Sequence, residues 1–185
     1  VEVQRDGDFH VVEQEDSHEL TLGALTLNLR PDRIDRLDDG REIVIDYKTG
    51  SVKRSSWLGE RPSDAQLPLY ALLNDSVEGV AFGRVHQEGV EYVFLGEALG
   101  LGGKELALED QVKRYESEPV ASWEALRATW RHRLEGLAND FVRGHAAIDP
   151  QPNACRYCAL GSVCRYSQNA ELPEETLLNL EEGAL

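Results

Sequence analysis

The chain has no methionine, only three cysteines, and 19 basic residues against 34 acidic ones. A net charge of −15 argues against a simple nucleic-acid-binding module, because such modules present a basic face that releases counterions from phosphate. Affinity for a polyanion would have to be supplied by other parts of a larger protein. Three cysteines would leave one thiol over after any pairing, which argues against a disulfide framework. No apolar run approaches the roughly 20 residues that cross a bilayer, and no secretory signal is visible. The expected compartment is therefore the cytoplasm. A chain that starts at Val1 and lacks methionine reads as a segment cut from a longer protein. Its 185 residues, 41% of them hydrophobic, suffice for one domain of moderate size with a real core.

What is present is concentrated in residues 30–70. Ile43-Val44-Ile45 is β-branched and apolar, and Asp39-Gly40 just before it is a hairpin turn signal. Residues 31–37 and 41–48 are therefore predicted to pair as antiparallel strands. Side chains alternate along a strand, so Asp46 and Lys48 project from one face. The hairpin is long enough to bring Asp32 alongside them. Clustered carboxylates repel unless a cation lies between them, and a hard divalent ion with oxygen ligands, Mg²⁺ or Mn²⁺, resolves the repulsion. Such an ion polarises a phosphoryl oxygen and acidifies bound water, while a lysine orients that water or neutralises developing charge. A solvated hairpin with ordinary surface charges is the plain alternative. The apolar run in residues 43–45 favours a central strand instead.

Arg30-Pro31-Asp32-Arg33-Ile34-Asp35, then Ile45-Asp46-Tyr47-Lys48-Thr49-Gly50, then Gln66-Leu67-Pro68-Leu69-Tyr70 together resemble the PD-(D/E)XK nuclease superfamily, in its RecB/AddB-like branch. The resemblance implies a mixed α/β fold, a central sheet flanked by helices with a restriction-endonuclease-like core. It implies that Asp32 and Asp46 ligate the metal, that Lys48 assists the nucleophilic water, and that Gln66 and Tyr70 lie beside the site. It further implies a Mg²⁺-dependent deoxyribonuclease, an exonuclease in a DNA repair or recombination protein, with DNA and a helicase or repair-complex subunit as partners. The sequence departs from the pattern at Arg30, where many members have glycine, and before Asp32 no residue stands out as a further metal ligand. His10 and His18 read as surface histidines. A degenerate nuclease fold kept as a DNA-binding or subunit-interaction module is the competing class, favoured by the acidic charge and the missing upstream ligand.

Around the motif, Lys53, Arg54 and Arg61 are candidates for positioning phosphate, with a solvated loop as the equal alternative. Pro62 to Gln66 opens a predicted helix reaching about Asn74, with Ser63 as N-cap and Gln66 third in the helix, a capping-box pattern. Gln66 and Tyr70 then share a face, and the helix N-terminus offers its dipole to phosphate. Capping and packing are the bland roles for this pair.

All three cysteines fall in Cys155-Arg156-Tyr157-Cys158 and Cys164. In a cytoplasmic protein such a cluster points to metal ligation, but three thiolates leave a tetrahedral or cubane site one ligand short. The family resemblance implies a [4Fe–4S] cluster in the full-length protein, held by these three and one upstream cysteine, with a structural role. His145 completing a zinc site, or metal-free thiols, are the alternatives.

The remainder reads as scaffold. Residues 9–12 and 25–29 are predicted strands that begin the sheet the motif hairpin joins, and residues 79–86 and 90–95 a second hairpin with Glu88-Gly89 in its turn. Ser122 opens an amphipathic helix to about Arg143, with Trp123, Leu126, Trp130, Leu134, Leu137 and Phe141 at helical spacing, ended by Gly144. Residues 98–105 read as a surface loop. The organisation expected is a nuclease core over residues 1–150, then a cysteine turn and an acidic tail over residues 151–185.

Overall fold

Ile43, Val44 and Ile45 have no accessible surface, so their strand must be covered on both faces and paired on both edges. The computed structural model achieves this with a five-stranded sheet. The structure describes residues 7–87, 89–102, 106–147, 149–151, 154–156 and 158–164. The chain divides into two compact units, Val1–Arg143 and Gly144–Leu185, each described by itself.

In the first unit the strands are β1 (Phe9–Gln14), β2 (His18–Leu22), β3 (Leu25–Leu29), β4 (Arg33–Leu37), β5 (Glu42–Lys48), β6 (Val77–His86) and β7 (Gly89–Gly96). The helices are α1 (Gln66–Tyr70), α2 (Leu108–Val112) and α3 (Trp123–Val142), and a 3₁₀ turn covers Arg54–Trp57. The main sheet has the order β1-β4-β5-β6-β7. As the turn signal predicts, β4 and β5 are antiparallel, and Gly40 adopts φ 91°, a left-handed conformation that glycine takes without a Cβ clash. β5 and β6 run parallel, which requires a crossover; the segment carrying the 3₁₀ turn and α1 provides it. β6 and β7 form the second expected hairpin. The mixed α/β fold expected from the sequence is the fold observed.

One expected pairing differs. The strand over residues 25–29 does not join the motif sheet but pairs with β2 in a separate two-stranded sheet. Leu20, Leu22 and Leu29 give that small sheet an apolar face, which packs on α3. Among the described residues, β1 alone extends the main sheet beyond β4.

The main sheet buries two different faces. Ile34, Val44, Val80, Phe82 and Leu95 meet Trp57, α1 and α3 on one side. Ile43, Ile45, Ala81 and Phe94 meet Leu99 and Leu101 on the other, with Tyr47 packed against them. Residues 98–102 are thus not merely a surface loop, since Leu99 and Leu101 are 1% and 3% exposed. At Gly83 on β6 an added Cβ would stand 2.7 Å from Cδ1 of Tyr47, so the close approach of that ring depends on glycine.

α3 begins as predicted, with Ser122 Oγ accepting the N–H of Ala125 at 3.1 Å. Leu126, Trp130, Leu134 and Ala138 are its buried residues. Trp130 is fully buried, and its indole N–H donates to the Trp57 carbonyl at 2.8 Å. Leu137 and Phe141 belong to the same predicted stripe but are 45% and 73% exposed. Helical period fixes the direction a residue faces, not how far the layer beneath it extends. α2 was not anticipated; Gln111 there donates to the carbonyls of Gly96 and Leu106, both at 2.7 Å. No described helix is long and apolar enough to cross a membrane. Glu88, residues 103–105 and the tail from Glu171 lie outside the described residues.

Candidate active site

The β4–β5 register pairs Arg33 with Ile45 and Ile34 with Val44. One step further sets Asp32 opposite Asp46. The backbone confirms the approach, since Tyr47 N–H donates to Asp32 Oδ2 at 2.7 Å. Alternation along β5 puts Val44, Asp46 and Lys48 on the face covered by α1 and Ile43, Ile45 and Tyr47 on the other.

Asp46 is 3% exposed, and its two oxygens are treated differently. Oδ1 accepts from Gln66 Nε2 at 2.6 Å. Oδ2 is ion-paired with Lys48 Nζ at 2.5 Å. Lys48 Nζ also donates to Gln66 Oε1 at 2.7 Å and sits 5.1 Å from the centre of the Phe82 ring. The Gln66 amide therefore ties the carboxylate and the ammonium together. It also donates to the Tyr70 hydroxyl at 3.1 Å, and that hydroxyl donates to the Arg30 carbonyl at 3.1 Å.

Burial pushes the Asp46 carboxyl above its ordinary value, with the charges of Asp32 and Asp64 adding to the effect and Lys48 opposing it. The Tyr70 hydroxyl is also pushed up, first by burial and then by the nearby Asp46 and Asp32 carboxylates. Of the five residues expected from the sequence, Asp46, Lys48, Gln66 and Tyr70 are thus one connected group, and Asp32 stands beside it on the Tyr47 N–H.

The local reason for Gln66 differs from the one expected. α1 has only five residues and starts at Gln66, with Ala65 before it making no side-chain cap. Asp64, not Ser63, supplies the oxygen: its Oδ1 accepts the Gln66 N–H at 3.0 Å. Pro68 fits because the first turn needs no intrahelical donor. Two flanking prolines and an Asp two positions before Gln66 carried that signal. A helix this short has little macrodipole to offer a phosphate.

Hard oxygen donors and a second carboxylate, Asp32, close enough to raise the pKa of the buried Asp46 suit a hard divalent cation. Among the described residues no group of three or more His, Cys, Asp or Glu gathers. A metal here would draw its remaining ligands from water and phosphate, as Mg²⁺ commonly does.

Beside Lys48 opens a cleft of about 310 Å³ lined by Lys48, Gly50, Ser51, Lys53, Ser56 and Asp64, among others. Arg54 does not share it. Its guanidinium lies 5.9 Å from the centre of the Phe94 ring and is desolvated enough to lower its pKa. Arg61 is exposed. Sequence reading also missed the buried pair on the opposite face, where Arg33 Nε donates to Asp35 Oδ1 at 2.6 Å and Arg33 Nη1 to the Tyr47 hydroxyl at 3.2 Å. Its only signal was the alternation that places Asp35 across from Ile43.

In the second unit, Cys158 N–H donates to the Cys155 carbonyl at 3.2 Å, and a short helix, α4 (Gly161–Cys164), ends on the third cysteine. All three thiols are free, Cys155 half-buried and the others exposed. They are close in sequence without forming a ligand group among the described residues, and His145 is exposed.

A family model described as the PD-(D/E)XK nuclease superfamily matches residues 1–165. None of the curated proteins matches the chain. Among solved structures, "Crystal structure of SSO0001" is 22% identical with a TM-score of 0.42, over 82% of this chain and 59% of that one. The chain thus spans less than two thirds of that structure's length.

Proposed function

The chain belongs to the PD-(D/E)XK nuclease superfamily, and on that footing we propose that it hydrolyses phosphodiester bonds of DNA with the help of a divalent metal. The observation that carries this reading is the Gln66 amide, which holds Asp46 and Lys48 in one hydrogen-bonded set across the hairpin from Asp32. Asp32 and Asp46 would hold Mg²⁺ or Mn²⁺. When bound, such an ion supplies a Lewis acid for the phosphoryl oxygen and a more acidic water.

The chain's own groups do the rest. Lys48 keeps a cation beside Asp46, where it orients the attacking water and offsets charge gathering on phosphate. Gln66 fixes that ammonium and carboxylate relative to each other. Tyr70 anchors Gln66 to the Arg30 carbonyl, so the amide cannot rotate freely.

The finer reading is a RecB/AddB-like exonuclease domain of a DNA repair or recombination protein. With a net charge of −15, it would depend on a helicase or repair-complex subunit to deliver the strand. Residues 1–150 would be the nuclease core. Cys155, Cys158 and Cys164 would supply three ligands of a [4Fe–4S] cluster in the full-length protein, with the fourth from a cysteine elsewhere in it. An inactive nuclease-like DNA-binding or subunit-interaction module is the second reading; the acidic net charge and the absence, among the described residues, of three or more metal-ligating side chains grouped together favour it. Incubation of the parent protein with single- and double-stranded DNA, with and without Mg²⁺, separates the two. Metal-dependent cutting that disappears with Asp46→Ala supports the enzyme, and no cutting under any metal refutes it.

A further inference from the structure

We propose that the cleft beside Lys48 is a subsite for a backbone phosphate neighbouring the scissile one, with Lys53 as its cation. This rests on the nuclease reading above and adds a substrate-positioning residue to it. The loop after β5 turns back so that Lys48, Gly50, Ser51, Lys53 and Ser56 line the same cleft of about 310 Å³. The cleft therefore begins at the ammonium assigned to the reaction and ends at a second one.

The two lysines differ in electrostatic state. Lys48 is engaged by Asp46, whereas Lys53 has no carboxylate within ion-pair distance among the described residues. Arg54, Arg114 and Arg143 likewise show no ion pair among the described residues, but none of them lines this cleft. Arg30, Arg36, Arg41, Arg127 and Arg133 are each met by an acidic side chain. Lys53 is exposed, so a phosphate reaching it breaks no ion pair and displaces only water and counterions.

Position is fixed by the backbone rather than by the flexible side chain. Ser56 Oγ donates to the Lys53 carbonyl at 2.6 Å, and Ser56 N–H donates to the same oxygen at 3.1 Å. These bonds hold Lys53 at the mouth of the 3₁₀ turn. At Gly50 an added Cβ would meet nothing within 4 Å, which leaves that wall open to a ligand. Asp64 lines the cleft too, and its carboxylate, one oxygen of which accepts the Gln66 N–H, disfavours phosphate on that side. A bound phosphate is accordingly placed on the Lys53 wall.

The test uses fluorescein-labelled single-stranded oligonucleotide and the parent protein in EDTA, with anisotropy read between about 50 and 200 mM KCl. Lys53→Ala is expected to weaken binding about tenfold and to reduce the slope of log affinity against log salt by about 0.7, the value for one phosphate contact on a single strand. Lys53→Arg restores both. Gly50→Leu fills the opening and lowers affinity without changing the slope, because it removes no charge. Unchanged affinity and slope in Lys53→Ala overturn the subsite, as does a parent protein that does not bind. Binding that depends on Lys53 without any cleavage sustains the subsite and sinks only the nuclease reading. Cleavage that depends on Asp46 but is indifferent to Lys53 does the reverse.

Discussion

Asp32 accepts the backbone N–H of Tyr47 at 2.7 Å. This bond ties the first carboxylate to the peptide unit between Asp46 and Tyr47, so one end of the spacing between the two acidic groups is set by main chain, while the Gln66 amide holds the other. The same strand then presents Lys48 two residues on. Three charged groups are held by a hairpin whose other face is packed with Ile43, Ile45 and Tyr47.

Asp46→Ala and Lys48→Ala are expected to abolish metal-dependent cleavage in the parent protein, by at least about a hundredfold each, while circular dichroism stays that of the wild type. Undiminished cutting by both variants would refute the site assignment.

Gln66→Ala removes the donor to a carboxylate that is 3% exposed and the acceptor of Lys48. Activity should fall about 10- to 100-fold, the usual effect of losing a group that orients metal ligands. Activity equal to wild type in steady-state assays would show that the amide does not organise the pair.

Asp35 is fully buried and paired with Arg33. Asp35→Ala leaves a largely buried guanidinium without that partner, so urea denaturation should show a loss of about 3–5 kcal/mol. The double variant Arg33→Leu/Asp35→Leu should lose less, because no uncompensated charge remains. A double variant worse than the single one would contradict this account.

Glu60 is held below its ordinary 4.5, first by the Ser117 hydroxyl and then by Arg133. The folded chain thus binds that proton more weakly than the unfolded chain does. Its contribution is complete above pH 4.5 and fades as pH falls through the lowered value. Glu60→Gln should flatten this part of the acid limb in melting temperatures, and an unaltered limb would show that Glu60 does not contribute.

Residues 30–70 were the legible part of this sequence, for a physical reason. A β-branched run, an Asp-Gly turn and charges at a spacing of two determine local geometry directly, and they yielded the hairpin and the shared face of Asp46 and Lys48. The partner of β3 was not legible, because Leu25, Leu27 and Leu29 alternate equally well for any sheet. Leu137 and Phe141 were misjudged since burial depends on what lies under a helix. Asp64 escaped notice because Ser63 and Gln66 already satisfied a capping pattern, and the choice between neighbouring oxygens is made by the fold around the two prolines.

The empty volume that Gly83 leaves for the Tyr47 ring makes a second strand answerable for the site. One extra methyl there would lever the aromatic ring, and with it the peptide that grips Asp32. Damage to the candidate site can therefore arise from a neighbouring strand position that contributes no side chain to it.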